Sequence, residues 1–199
     1  MESFLKYQYG LISVRELRAE FIDKEIILND YNQHDAQRYL LDISMFVGTS
    51  ENTKLSLRST LTSSVGDEDS TEYVAPETQI SVEHVAGSNL QGSIERFFAG
   101  ENVSGGKTKP FSIDEAPNYM TIQQKRFKYG YNSSGVPTAS KIDDEWGIPM
   151  TVEIPIGKDD QSKETYELQS VICHSGRTGE GHYTAYRKID NQWYYFNDN

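Results

Sequence analysis

Near the end of the chain a histidine sits between a glycine and a tyrosine, Gly181-His182-Tyr183, with Asn197 and Asp198 a short strand's length further on. An imidazole beside an amide or carboxylate has a definite chemistry. The acceptor takes the Nδ1–H, fixes the tautomer and leaves Nε2 to draw a proton from a thiol or hydroxyl. The missing member is the nucleophile. Cys173 is the one cysteine of the chain, and it lies inside the β-type stretch "VICHSG". A reactive thiol is expected at a helix N-terminus or beside a cation, so Cys173 reads as a half-buried structural residue.

The elements around the histidine must bring it to its partner. If Asp190 and Asn191 form a two-residue turn, Ile189 pairs with Gln192. Counting outward, Thr184 then faces Asn197 and Tyr183 faces Asp198. His182 and Thr184 share a face, so Asn197 becomes a diagonal neighbour of His182. By the same count Asp198 points to the opposite face unless a bulge shifts the register.

Upstream, "SVRELRAEFI" predicts a helix, with Ser13 and Glu16 as a capping box, and "NQHDAQRYLLDI" predicts a second with Asn32 as N-cap. The Ser-, Thr-, Gly- and acid-rich stretch 49–70 predicts a flexible loop. "TQISVEHV" predicts a strand and "NLQGSIERFFAGEN" a short helix. From "YMTIQQKRFKYG" onward, β-type segments alternate with turn-rich spacers. Helices first and antiparallel strands after them predict an α+β architecture in a single domain over 1–199.

Composition narrows the function classes. Thirteen tyrosines, eight phenylalanines and two tryptophans argue for a globular chain. A net charge of −11 opposes binding to nucleic acid or to an anionic membrane. One cysteine excludes an internal disulfide framework and a four-cysteine zinc site, and four histidines show no metal-ligand spacing. No cofactor is called for. "GDEDSTE" lacks the ligand pattern that wraps calcium. His34 reads as a helix-surface residue and His84 as an exposed strand or turn residue. No signal peptide or membrane-spanning run is visible, which predicts an intracellular protein, cytoplasmic or nuclear.

"NQHDAQRYLLDI", "YMTIQQKRF", "SVICHSGRTGEGHYTAY" and "WYYFND" follow in the order and spacing of one family. From about Leu11 to Asn199 the chain resembles the ubiquitin-specific proteases, papain-like cysteine deubiquitinases. The resemblance implies that fold, incomplete at both ends, and ubiquitin or a ubiquitin-like protein as partner. It implies His182 as general base, Asn197 as the group orienting it and Asp198 as a second acid supporting the site. It also implies that Gln33 and Asp35 line the cleft for the ubiquitin tail, where an aspartate can pair with an arginine. Gly181 and Tyr183 would flank the channel for its Gly-Gly end, the glycine giving the backbone room to approach.

Departures from the family pattern are specific. The family's Cys box should lie well upstream of the Gln33 helix, yet 32 residues precede Gln33 and none is cysteine. The Cys-x-x-Cys pairs of a fingers zinc site are missing, Gln124 replaces an apolar residue, and Arg38 stands where an acid is common. The family's domain also continues past the "FND" strand. Three readings stay open: a catalytic part whose Cys box lies on another segment or chain, a ubiquitin-binding module without catalysis, and a truncated product without function. Trp193–Phe196 forms an unpaired edge, which predicts a segment, partner or dimer contact covering it.

Overall fold

The computed structural model describes residues 14–24, 36–46, 50–61, 71–103, 107–157, 162–177 and 180–198. The chain divides into two compact units, Met1–Asn52 and Thr53–Asn199. The first unit holds α1 (Val14–Asp23) and α2 (Ala36–Phe46), close to the two helices expected. Phe21 of α1 is buried, and Arg38 of α2 pairs with Asp42 one turn on, at 2.8 Å. Ser13 and Asn32, the expected caps, lie outside the described residues, as does His34.

A short helix α3 (Ser50–Thr53) leads into the second unit and β1 (Leu55–Leu61). This corrects the loop expected over 49–70. Residues 50–61 are a helical turn and a strand, while 62–70 lie outside the described residues. The physical reason is alternation: Leu55 and Ser59 point inward on a period of two, and Ser and Thr fit a pleated strand although they read as loop by composition. β1 pairs antiparallel with β2 (Thr71–Glu77) and with β6 (Phe111–Ile113). Arg58 fastens these strands. It grips Asp114 through two bonds of 2.9 and 2.7 Å and reaches Glu72 at 2.6 Å, which holds its guanidinium protonated more firmly still.

β3 (Ile80–Glu83) runs parallel to β7 (Ile122–Lys125), the one parallel pair among the described strands. Between them α4 (Leu90–Ala99) is capped by Asn89, whose side-chain oxygen accepts from the Gly92 N–H at 3.1 Å. It ends at Gly100, where φ is +86° and a Cβ would strike the Lys109–Pro110 backbone. Leu90, Ile94 and Phe98 form its buried stripe. They pack with Leu55, Ile80, Val82, Ile113 and Trp146, and with Val152 and Ile154 of β10 (Thr151–Pro155), into the core. Trp146 also meets the half-buried His84 in a T-shaped contact, though the sequence placed that residue in the open.

β4 (Glu101–Val103) pairs with β5 (Lys107–Lys109), β8 (Phe127–Tyr131) with β9 (Pro137–Lys141), and β10 with β11 (Lys163–Glu167). The last three strands form a sheet of their own in the order β12 (Ser170–Gly176), β13 (Gly181–Ile189), β14 (Gln192–Phe196). The architecture is α+β with largely antiparallel sheets, as expected. Among the described residues no helix is long and apolar enough to cross a membrane.

Candidate active site

The site rests on the β13–β14 hairpin. Asp190 and Asn191 both adopt positive φ, 49° and 63°, the conformation of a two-residue type I′ turn that Asn and Asp tolerate. The turn fixes the register: Ile189 pairs with Gln192, and the ladder runs out to Ala185 opposite Phe196. One step further, Asn197 falls opposite Thr184 and diagonal to His182. The side chains meet there, His182 Nε2 lying 2.6 Å from Asn197 Oδ1. The same oxygen accepts the Asp198 N–H at 3.0 Å, which identifies it as the oxygen of the amide.

Two expectations are corrected at this point. Asp198 does not point away: its Oδ2 lies 3.7 Å from His182 Nδ1. The ladder ends at Phe196; Asn197 still falls where the count puts it, but by Asp198 strand alternation no longer holds. The ring nitrogens are also engaged the other way round. Asn197 occupies Nε2, leaving Nδ1 turned toward the Asp198 carboxylate. The imidazole is thus held on the β14 side of its strand, half exposed, with 45% of its side-chain surface open.

β12 completes the frame. Ser175 pairs with His182, and its hydroxyl donates to the His182 carbonyl at 3.3 Å. Cys173 pairs with Thr184 and is half-buried in mid-strand. It shares the face of His182 as a diagonal neighbour, but the imidazole leans to the opposite side of β13, toward Asn197. His174 and Tyr183 pair on the reverse face, their rings 4.7 Å apart. The structure therefore brings His182, Asn197 and Asp198 together and sets Tyr183 behind them. Gly181 sits at the strand's start, where a Cβ would collide with the His174 ring and the Ser175 carbonyl. The hairpin itself thus demands glycine here. Gln33 and Asp35 lie outside the described residues. Among the described residues no cluster of His, Cys, Asp and Glu could hold a metal ion.

Lys141 was not legible as part of this region. Its ammonium donates to the His174 carbonyl at 2.9 Å and the Gly176 carbonyl at 3.1 Å, and lies 3.2 Å from His174 Nδ1. The partners are 33 and 35 residues apart in sequence, a distance over which no periodic pattern carries information.

The family model for ubiquitin carboxyl-terminal hydrolase matches residues 10–199. A probable ubiquitin carboxyl-terminal hydrolase 8 of Schizosaccharomyces pombe is 32% identical over 117 residues, covering 55% of this chain and 25% of that protein. Ubiquitin carboxyl-terminal hydrolase 12 of Saccharomyces cerevisiae is 37% identical over 97 residues, covering 46% of this chain and 7% of its own length. A solved chain from the SAGA Ubp8/Sgf11/Sus1/Sgf73 DUB module bound to ubiquitin aldehyde shares the fold, with a TM-score of 0.72 at 22% identity. That match covers 84% of this chain and 45% of the solved one. The chain thus spans a quarter or less of these two curated relatives and under half of that solved neighbour.

Proposed function

Since the chain belongs to the ubiquitin carboxyl-terminal hydrolase family, we propose that it carries the base-bearing part of a thiol-dependent ubiquitin hydrolase. The nucleophilic cysteine is supplied from outside these 199 residues, on a segment or chain with a Cys box. The observation that carries this reading is the 2.6 Å contact between His182 and Asn197. A carbonyl oxygen only accepts, so the ring proton sits on Nε2 and the basic lone pair on Nδ1. Nδ1 is the atom that takes the thiol's proton. The carboxylate of Asp198 lies 3.7 Å from that nitrogen.

The thiolate attacks the carbonyl at the ubiquitin C-terminus and the leaving amine takes the proton back from Nδ1. A water deprotonated at the same nitrogen then hydrolyses the thioester. Gln33, Asp35, Gly181 and Tyr183 are proposed to line the path of the tail. Action inside the cell, in cytoplasm or nucleus, goes with this substrate. A second reading, a module that binds ubiquitin or a relative without cleaving it, is favoured by one observation: Cys173 sits in mid-strand with the imidazole turned from it.

Hydrolysis of a fluorogenic ubiquitin by the naturally expressed protein separates the two. Turnover abolished by His182→Ala supports the hydrolase. Saturable ubiquitin binding with no turnover supports the module, and neither binding nor turnover contradicts both.

A further inference from the structure

We propose that Lys141 and His174 are positioning residues for His182, coupling the β8–β9 ribbon to the strand that carries the imidazole. This rests on the hydrolase reading for its kinetic consequence only. Lys141 closes β9, paired with Phe127 at the base of the ribbon. Its ammonium has three N–H donors, and the structure offers three acceptors on β12: the carbonyls of His174 and Gly176 and the ring nitrogen Nδ1 of His174. The two carbonyls are two residues apart, so they face the same way along β12 and are both met by one side chain from another sheet. Among the described strands β12 stands at the end of its sheet, and the lysine covers part of that edge.

The ring bond carries the consequence. An ammonium can only donate, so His174 Nδ1 accepts and the ring proton of the neutral imidazole is placed on Nε2. With rotamer and tautomer fixed, the ring lies along the backbone of the next strand. It lies against Tyr183, tilted by 45° with centroids 4.7 Å apart, and fills the space where Gly181 has no side chain. Those two residues flank His182. The strand segment bearing the imidazole is therefore held from behind by a ring that Lys141 holds in turn, while Asn197 meets the imidazole from the front.

The test compares Lys141→Met, Lys141→Arg and His174→Asn in the naturally expressed protein. Two readouts are taken: steady-state hydrolysis of fluorogenic ubiquitin, and the imidazole N–H resonance of His182 bonded to Asn197. Lys141→Met is expected to lower kcat about tenfold with KM within about twofold, and to broaden the His182 resonance. His174→Asn keeps an acceptor for the lysine but loses the ring behind Gly181, and is expected to match it. Lys141→Arg retains the donors and is expected to keep most of kcat. A Lys141→Met variant with wild-type kcat, or with an unchanged His182 resonance, overturns the inference. Wild-type protein without turnover, whose His182 resonance still responds to Lys141→Met, leaves the positioning intact and removes the hydrolase reading instead.

Discussion

Replacing Asn197 by alanine separates a catalytic role from a structural one. The side-chain oxygen accepts two hydrogen bonds, from His182 Nε2 at 2.6 Å and from the Asp198 N–H at 3.0 Å. Both lie among exposed groups, so water replaces much of what is lost. At about 0.5–1.5 kcal/mol per bond before that discount, roughly 1 kcal/mol is the expected loss of stability. For a chain of this size that is a fall of about 2–4 °C in Tm. Catalysis has more at stake. With Asn197 gone, the bond that keeps the proton on Nε2 and holds the ring on the β14 side is lost. General-base contributions run to about 10²–10⁴-fold, so kcat is expected to fall at least ~10²-fold, equivalent to about 2.7 kcal/mol, with KM changed by less than about threefold. Asn197→Asp keeps an acceptor at the same place and should retain activity within about tenfold. The assay is steady-state hydrolysis of fluorogenic ubiquitin by the naturally expressed protein, with melting curves in parallel. A kcat within about threefold of wild type in Asn197→Ala refutes the reasoning, as does a loss confined to KM.

Three further outcomes follow from the same structure. Ile94 is fully buried in α4, and Ile94→Ala should cost about 2–5 kcal/mol in denaturant unfolding. Asn191 sits at φ 63°; Asn191→Val forces a β-branched residue into the left-handed region, at about 1–2 kcal/mol, whereas Asn191→Gly should be tolerated. If register matters as argued, the valine variant also loses turnover beyond its loss of stability. Glu167 is bonded to Lys188, and secondarily to Gln169, which lowers its carboxyl below the usual range. A depressed carboxylate contributes stability that is present above its unfolded pKa, near 4, and lost as pH falls through the folded value. Unfolding titrations from pH 5 downward should therefore show less acid sensitivity in Glu167→Gln than in wild type.

How far the sequence reached is best seen at the hairpin. A two-residue turn at Asp190–Asn191 pins every pair behind it, so the approach of Asn197 to His182 followed from counting alone. The count failed at Asp198, the second residue past the last ladder pair, where strand alternation is no longer kept. Which ring nitrogen meets Asn197 depends on a side-chain torsion that no residue pattern encodes. β1 was hidden by its Ser and Thr residues, whose turn-like composition masked an alternation visible only in burial. His84 read as an exposed strand or turn residue, and its packing on Trp146 spans a separation with no local signature. Lys141 is the plainest case, since its contacts exist only where two sheets meet.

The central claim concerns where the nucleophile is. The naturally expressed protein is treated with ubiquitin bearing a C-terminal electrophile, and the modified residue is mapped by mass spectrometry with His182→Ala as control. An adduct on a cysteine outside these residues, formed faster with His182 present, is the predicted result. An adduct on Cys173 would contradict it.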